Sequence, residues 1–598
     1  MKHLILFYLV IVPSIFAIDW TLYKNQTELD LRYKGIRSLD GIEVLTDLES
    51  LDLSRNRIHD IRQLRSLTSL KNLTLSFNKI SDIEALSNLT NLTFLSLNFN
   101  EIKDIEPVLN LTNLKYLHIL DNNLEDIKKI DKLSNLIELD ISYNNIINIT
   151  QIGSIKSLTV FKARENQINE VDCLKYLTNL ETLDLSCNNI SNIDSLANMT
   201  NIKHIDLSSN QLTKIETISK LKSITDLNLS NNNITDIESV CELNGLTVLR
   251  LNNISAAKFN CLEKLTSLET LYLNDNYLEN IDFIQSLVYI SELGVRNNRL
   301  TNISLLINLG LLNKLDLSGN LIYDIEPLGE LLFLDKLNVS SNNISNIESI
   351  GRLDVSSLFM SNNKIQNIEW LITLNKLKIL DLENNQITNI ETIGKLENLV
   401  SLYLNRNKIK NIKALENLKN LEILSLGNNQ IQDLSGMVNL TTLKELYFSN
   451  GNLLNIDFIC EFKNLTTLDL SFNKIKNINC FLNLKNLVIA ILNNNKISNI
   501  DCFKNLANLI LVDLNHNDLK NFGFFPSLVQ TLTRSETDSI IRNYLERVNK
   551  NSIKIGKKNL KQFKIKGLDI RNNPITHISK IHVVSKLPQY QNLVILYN

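Results

Sequence analysis

The sequence predicts an α/β repeat solenoid, in which every repeat adds one short strand to a parallel sheet. Two observations carry this prediction. A pattern of the form LxxLxLxxNxI recurs every 22 residues over most of the 598-residue chain, and a fixed period of this length is the signature of a repeat architecture. Glycine (16 residues) and proline (6 residues) are scarce, so long flexible linkers between separate domains are not expected.

The repeat is clearest in Leu48–Ile58, and it returns in the same form at Leu70–Ile80 and Leu92–Ile102. Its asparagine marks the later repeats, of which one is a residue short; these asparagines are Asn122, Asn144, Asn166, Asn188, Asn210, Asn232, Asn276, Asn298, Asn320, Asn342, Asn363, Asn385, Asn407, Asn429, Asn473, Asn495 and Asn517. Ile254 and Gly451 stand where two more repeats would have asparagine. Those two repeats are expected to be weak points, because backbone groups in their turns lose a partner.

Each part of the repeat has a physical reason. Leu51 and Leu53 alternate with Asp52, so one face of the strand is apolar and the other is wet. Successive strands are expected to stack about 4.8 Å apart. The asparagine amide has donors and acceptors that can satisfy buried turn groups. No single repeat can bury its own apolar face, so stability comes from stacking.

This pattern resembles the leucine-rich repeat superfamily, and within it the 22-residue class of Sds22-like phosphatase regulators and bacterial internalins. The resemblance covers Leu29–Phe525 and then Leu568–Asn573. It implies a leucine-rich-repeat horseshoe, with a parallel sheet on the concave side and short 3-10 or irregular segments on the convex side. The same solenoid serves unrelated partners, so the resemblance does not name a ligand.

The predicted organisation has four parts. Residues 1–17 are a signal peptide, residues 18–27 an N-terminal cap, and residues 28–525 about 23 repeats. Residues 526–598 form an irregular C-terminal cap, with a helix near 535–549 and a further repeat near 565–580.

The first residues have the order of a secretory signal. Lys2 and His3 precede the apolar run Leu4–Val12, and Ala17 is a suitable residue before cleavage. The alternative is an N-terminal membrane anchor, but the run is shorter than the roughly 20 residues that span a bilayer. The sequence therefore predicts a secreted protein with no membrane span.

Composition and motifs argue against several function classes. A net charge of −2 predicts no general attraction to nucleic acid. None of the phosphate-binding, nucleophile-elbow or zinc-protease motifs is present, and the seven histidines are scattered. The prediction is a binding protein that is not an enzyme and that uses no metal and no cofactor.

Two charged features have alternative interpretations. Aspartate recurs in the middle of the strands, at Asp30, Asp52, Asp140, Asp184, Asp206, Asp316, Asp381, Asp469 and Asp513. This column could bind cations or basic peptides, but the stronger interpretation is that it keeps the strand face soluble. A basic stretch at Arg547–Lys566 could bind polyanions, although a solvated cap surface explains it better.

The seven cysteines suggest two disulfides in an oxidising compartment. Cys241 and Cys261 are 20 residues apart, and Cys460 and Cys480 repeat this separation in the same register. We expect both pairs to join neighbouring repeats. Cys502 is the rival partner of Cys480, and the other interpretation is that every cysteine is a small buried side chain.

Aromatic residues mark the candidate binding site. Exposed aromatic side chains on a strand face point to contacts with a partner. The predicted partner-binding residues are Phe77, Phe94, Phe99, Tyr116, His118 and Tyr143 in one group and Tyr403, Tyr447 and Phe472 in a second. The alternative is mutual stacking that only stabilises the sheet.

The expected function is extracellular recognition of a protein ligand, with a glycan as the alternative ligand, in immunity, adhesion or host interaction. The rival function is an Sds22-like phosphatase regulator in the cytosol or nucleus, against which residues 1–17 argue. A secreted chain would also be open to N-glycosylation. Its candidate sequons are at Asn25, Asn72, Asn88, Asn110, Asn148, Asn198, Asn302, Asn343, Asn439 and Asn464.

Overall fold

The computed structural model divides into two compact units, Met1–Asn298 and Arg299–Asn598, which are described separately. The residues it describes are 18–256, 258–509, 511–519, 566–569 and 593–596, the last two ranges by their backbone alone. The predicted signal peptide at 1–17, the helix at 535–549 and most of the predicted C-terminal cap lie outside the described residues.

The described part of the first unit contains thirteen strands of three residues each, all parallel to their neighbours. Strands β1 to β13 are Glu28–Asp30, Ser50–Asp52, Asn72–Thr74, Phe94–Ser96, Tyr116–His118, Glu138–Asp140, Val160–Lys162, Thr182–Asp184, His204–Asp206, Asp226–Asn228, Val248–Arg250, Thr270–Tyr272 and Glu292–Gly294. Each strand residue pairs with the residue 22 positions later, as Leu29 does with Leu51.

The second unit continues the same pattern. Its described strands β14 to β25 are Lys314–Asp316, Lys336–Asn338, Ser357–Phe359, Ile379–Asp381, Ser401–Tyr403, Ile423–Ser425, Glu445–Tyr447, Thr467–Asp469, Ile489–Ile491, Leu511–Asp513, Lys566–Asp569 and Leu593–Leu596. The repeat that is one residue short lies between β15 and β16, where Lys336 pairs with Ser357 instead of with a residue 22 positions later. Strand β24 falls where the further repeat near 565–580 is expected, and it pairs with β23 in parallel.

Short 3-10 helices connect the strands. In the first unit they are Trp20–Tyr23, Ile42–Val44, Arg62–Ser66, Glu84–Leu86, Glu106–Asn110, Ile130–Lys132, Thr150–Ser154, Asp172–Tyr176, Asp194–Asn198, Glu216–Lys220, Val240–Glu242, Asn260–Lys264 and Asp282–Ser286. In the second unit they are Ser304–Asn308, Glu326–Glu330, Glu348–Arg352, Glu369–Thr373, Glu391–Lys395, Lys413–Asn417, Ser435–Met437, Asp457–Glu461, Asn479–Asn483 and Asp501–Asn505. The predicted fold class, a parallel sheet with short 3-10 connections, is confirmed.

The apolar pattern places the core between the strands and the 3-10 helices of each unit. In β2 the middle residue Leu51 is buried, and its neighbours Ser50 and Asp52 face outward. Leu64 and Leu67 close the core from the other side. We call the outward side of the strands, together with the turn that follows each strand, the strand face.

The repeat asparagine bridges neighbouring turns. Asn144 is buried, and its amide nitrogen donates to the carbonyls of Ile119 and Ile141, at 2.9 and 3.0 Å. Its amide oxygen accepts the backbone N–H of Leu124 at 3.0 Å. The same three bonds recur around Asn56, Asn78, Asn166, Asn188, Asn210 and Asn232. The asparagine thus satisfies groups that burial would otherwise leave unpaired.

The two repeats without asparagine rely on the next repeat. Asn276 donates to the carbonyl of Leu251 and accepts the N–H of Ile254 at 2.9 Å. Asn473 likewise accepts the N–H of Gly451 at 3.0 Å, in addition to its regular bonds. The asparagine of the following repeat therefore supplies an acceptor to each repeat that lacks its own asparagine.

A second asparagine ladder lies in the turn before the strands, and sequence analysis did not predict it. Each of these amides donates to the backbone carbonyl 23 residues earlier. The donors are Asn91, Asn113, Asn135, Asn179 and Asn201 in the first unit and Asn398, Asn420, Asn464, Asn486 and Asn508 in the second.

The cysteines divide into one bonded pair and five thiols. Cys241 and Cys261 form a disulfide with a Cα–Cα distance of 5.7 Å. The structure differs from the second predicted pairing, because Cys460 and Cys480 are thiols. Their spacing brings the two thiols into contact, and burial together with Cys460 raises the pKa of Cys480. Spacing therefore predicts proximity at both pairs, but the bond only at the first.

Candidate functional site

The aspartates of the strand face have a local structural role. The carboxylate of Asp140 accepts the backbone N–H of Ser142 at 3.0 Å, and Asp206 accepts that of Ser208 at 2.8 Å. Asn228 makes the same bond to Ser230 without a charge. These side chains close a turn after each strand, which supports the interpretation of the column as structure rather than as a cation site.

Three of the predicted site residues meet on neighbouring strands of the first unit. Phe94 on β4 lies directly beside Tyr116 on β5, with ring centroids 6.3 Å apart. His118, two residues along β5, meets the Phe94 ring edge-on at 5.4 Å. All three side chains point outward, and Tyr116 is 37% exposed. Outward-facing rings at these separations form one aromatic cluster.

Two more predicted residues stack beside this cluster, at the end of the strands. Phe77 and Phe99 are parallel to within 13°, with centroids 4.1 Å apart. Each occupies the position before the repeat asparagine or its equivalent, where the backbone is left-handed (φ 58° and 56°). We call Phe77, Phe94, Phe99, Tyr116 and His118 the aromatic surface.

The column of left-handed residues contains two members that sequence analysis missed. Tyr33 and Arg55 precede Phe77 in the same position, with φ of 59° and 56°. Arg55 could have been predicted from its position directly before the repeat asparagine Asn56, which matches that of Phe77 before Asn78. Arg55 is not aromatic, and Tyr33 belongs to a degenerate first repeat with Lys34 in place of the asparagine.

The aromatic surface is an uncharged island on a charged face. Strands β3 and β4 present only uncharged side chains outward, those of Asn72, Thr74, Phe94 and Ser96. Asp52 lies on the strand before them. Depletion of charge around exposed aromatic rings is typical of the centre of a protein interface.

The far side of the island is a small polar cluster. His118 Nε2 lies 3.3 Å from Glu138 Oε1 but does not meet the geometry of a hydrogen bond to it. Lys162 Nζ lies 3.6 Å from the same carboxylate oxygen. Glu138 is thus shared between two partners, and the buried histidine nitrogen lies against it without a hydrogen-bond partner among the described residues.

The structure does not bring the remaining predicted residues into the aromatic surface. Tyr143 lies instead under the guanidinium of Arg164, 5.9 Å from its ring centroid. In the second unit, Tyr403 and Tyr447 lie on β18 and β20 with Ser425 between them. Phe472 occupies the left-handed position and is 56% exposed. The second predicted group is therefore dispersed.

The sequons fall mainly away from the aromatic surface. Asn88, Asn110, Asn198 and Asn439 share one exposed position at the end of the 3-10 helices or just after them. Asn25, Asn148, Asn302 and Asn464 are also exposed and Asn343 is half-buried. The exception is Asn72, which pairs directly with Phe94.

No group of three or more histidine, cysteine or acidic side chains that could hold a metal ion occurs in the part of the chain that the structure describes. Across those residues, no helix has the length and apolar character needed to cross a bilayer.

Family models decide the classification. A model described as "Leucine Rich repeats (2 copies)" matches residues 68–110, 200–245, 355–395 and 397–439. Two single-repeat models match residues 170–212 and residues 44–61 and 463–478. The chain belongs to the leucine-rich repeat superfamily. No curated protein sequence matches it.

Solved leucine-rich repeat structures share this fold. A leucine-rich repeat protein of Leptospira interrogans is 24% identical, with 68% of this chain and 97% of that chain covered and a TM-score of 0.52. The plant peptide hormone receptor RGFR1, in complex with RGF2, is 22% identical. That match covers 82% of this leucine-rich repeat chain and 93% of the receptor, with a TM-score of 0.50.

Proposed function

We propose that this leucine-rich repeat protein is a secreted, non-catalytic recognition protein whose aromatic surface binds a protein or peptide partner. The observation that carries the proposal is the cluster of outward-facing rings on β4, β5 and the adjoining turns, beside strands β3 and β4 that present no charged side chain outward. Aromatic residues are enriched and charges depleted at the centres of protein interfaces. A sheet stabilised only from within would not need outward-facing rings gathered into one cluster on neighbouring strands.

The cost of the left-handed rings supports a role beyond stability. A bulky residue with positive φ is strained by about 1–2 kcal/mol, whereas asparagine tolerates this conformation. Asparagine fills the same position in eight other repeats, at Asn231, Asn253, Asn297, Asn362, Asn384, Asn428, Asn450 and Asn494. Phe77 and Phe99 are therefore more strained at this position than the asparagine of those repeats would be.

A peptide is a ligand class that this fold can hold. RGFR1 has the same fold and was solved with the peptide RGF2. The likeness concerns the fold alone, so the contact residues come from the aromatic surface of this chain.

Secretion is tested by fractionation. The full chain, tagged at its C-terminus and expressed in eukaryotic cells, is expected in the medium without residues 1–17, because those residues have the order of a cleaved signal. Intact protein that stays in the cytosol would contradict secretion and would favour the phosphatase regulator.

The binding surface is tested by site-specific capture. A photo-reactive amino acid placed at position 116 should cross-link a partner, because the Tyr116 side chain projects from the aromatic surface. The matched control is position 176, where Tyr176 is 54% exposed on a 3-10 helix of the same unit. Equal cross-linking of the same partner at both positions would place the binding site elsewhere.

Glycosylation gives an independent test. A glycan on Asn72 would cover Phe94, its neighbour on the next strand, whereas a glycan on Asn88 would leave the strand face open. The proposal therefore predicts that peptide mapping of the secreted protein finds Asn72 unmodified. Full occupancy at Asn72 would contradict a binding role for the aromatic surface.

A further inference from the structure

Arg55 lies between two aromatic rings. Its guanidinium carbon is 4.2 Å from the centroid of the Phe77 ring and 5.1 Å from that of Tyr33. Phe99 stacks on the far side of Phe77, so four successive repeats form one column. A guanidinium covered on both faces keeps only its N–H edge for hydrogen bonding.

That edge has no acidic partner. No carboxylate among the described residues lies within 4.0 Å of Arg55, and its side chain is exposed. The nearby carboxylates of Asp30 and Asp52 are both within 3.5 Å of Arg32 instead. Arg55 is thus a positioned cation whose donors face outward beside the aromatic surface.

We propose that Arg55, held between Tyr33 and Phe77, binds a carboxylate of a peptide ligand whose apolar side chains contact Phe77 and Phe99. This inference rests on the proposed function, because it names the chemistry of the ligand at one end of the aromatic surface.

The geometry favours a carboxylate over a phosphate. The planar N–H fork of arginine matches the two oxygens of a carboxylate in a bidentate pair. Arg55 presents one guanidinium without an acidic partner within 4.0 Å in the described part of the chain, whereas Arg32 is already paired with Asp30 and Asp52. A single guanidinium balances the charge of a monoanionic carboxylate, whereas a dianionic phosphate would keep a net negative charge there. The carboxylate can come from a chain terminus or from an aspartate or glutamate side chain.

The equivalent arginine in the second unit differs from Arg55 in having an acidic partner. Arg406 occupies the equivalent left-handed position in the second unit, with φ 57°. Its neighbours in the column are Asn384 and Asn428, and its Nε lies 4.0 Å from Glu383 Oε1. An arginine at this position is therefore compatible with an internal acidic partner, whereas Arg55 is placed between rings.

The test uses four libraries of random hexapeptides presented to the full chain. The libraries combine a free or an amidated C-terminus with the presence or absence of Asp and Glu. Binding is expected in two or more of the three libraries that contain a carboxylate: the two with a free C-terminus if the site takes a chain terminus, and the two with Asp and Glu if it takes a side chain. Binding of the fourth library should be about tenfold or more weaker, since a hydrogen bond to a charged group contributes about this factor. The first three libraries distinguish a terminal carboxylate from a side-chain one.

Two variants assign the carboxylate preference to its residue. Arg55→Asn should abolish the preference, and it should fold because asparagine is native at this position in other repeats. Arg406→Asn is the matched control and should retain the preference. Equal binding of the fourth library, or a preference that survives in Arg55→Asn, would overturn the inference.

The outcomes also separate this inference from the proposed function. Peptides that require Phe94 and Tyr116 but are indifferent to the carboxylate would overturn the role of Arg55 and leave the aromatic surface as the binding site. Failure of every library to bind would overturn both proposals for peptide ligands.

Discussion

Replacing a single repeat asparagine should open one junction of the stack. Asn144→Ala removes the only acceptor that Asn144 provides to the buried N–H of Leu124, at 3.0 Å. It also removes donors to the carbonyls of Ile119 and Ile141. These carbonyls keep a second donor each, from the asparagines of the preceding and following repeats. The N–H is therefore the group most affected.

The magnitude follows from these contacts. An unsatisfied buried N–H costs about 1–3 kcal/mol, and each lost hydrogen bond to a carbonyl about 0.5–1.5 kcal/mol. Together they reduce the free energy of opening this junction by about 3 kcal/mol. A repeat array opens locally, so the loss should raise hydrogen exchange at Leu124 by about two orders of magnitude.

The assay is hydrogen exchange followed by mass spectrometry on peptides that contain Leu124. The matched control is Asn145→Ala, which changes an exposed neighbour and keeps the buried bonds. Exchange at Leu124 that is no faster in Asn144→Ala than in Asn145→Ala would refute the role assigned to the asparagine. Distant repeats should be unaffected in both variants.

Three further predictions concern charge, covalent linkage and strain. Burial raises the pKa of Asp184 in the folded protein, so the free energy of unfolding should fall as pH rises through this folded pKa. Asp184→Asn should remove that fall in a series of Tm measurements at increasing pH. An unchanged pH profile in the variant would contradict this prediction. Cys261→Ser breaks the bond to Cys241 that spans 20 residues, and it should lower the local free energy of opening by about 3 kcal/mol in hydrogen exchange; unchanged protection would count against a structural role. Phe77→Asn should leave the free energy of unfolding within about 1 kcal/mol, because relief of left-handed strain offsets lost stacking, while partner binding falls; a large loss of stability by urea denaturation would show that the ring is structural.

The fold could be predicted from the sequence because its main interactions repeat. Leu51 and Leu53 recur with the asparagine at a fixed spacing, and each recurrence reports the same strand and turn. The second ladder escaped prediction because a bond such as that from Asn91 to the carbonyl of Thr68 joins different repeats across a turn. Its asparagines look like ordinary turn residues in the sequence.

The candidate site was predicted only in part. The alternation of the strands placed Phe94, Tyr116 and His118 on one face, and the structure brings them together. The stacking of Arg55 depends on a left-handed turn, which a search for aromatic residues on strands does not reveal. Cysteine spacing likewise described proximity at Cys460 and Cys480, but the same spacing gives a bond only between Cys241 and Cys261.

The most direct test of the account is the affinity of the partner captured at position 116. The double variant Phe94→Ala and Tyr116→Ala is compared with wild type and with Tyr176→Ala, which removes a more exposed ring from a 3-10 helix. The account predicts a loss of about 30-fold or more for the double variant, since truncated interface aromatics cost about 2 kcal/mol or more, and no loss for Tyr176→Ala. Wild-type affinity in the double variant would contradict the assignment of the aromatic surface as the binding site.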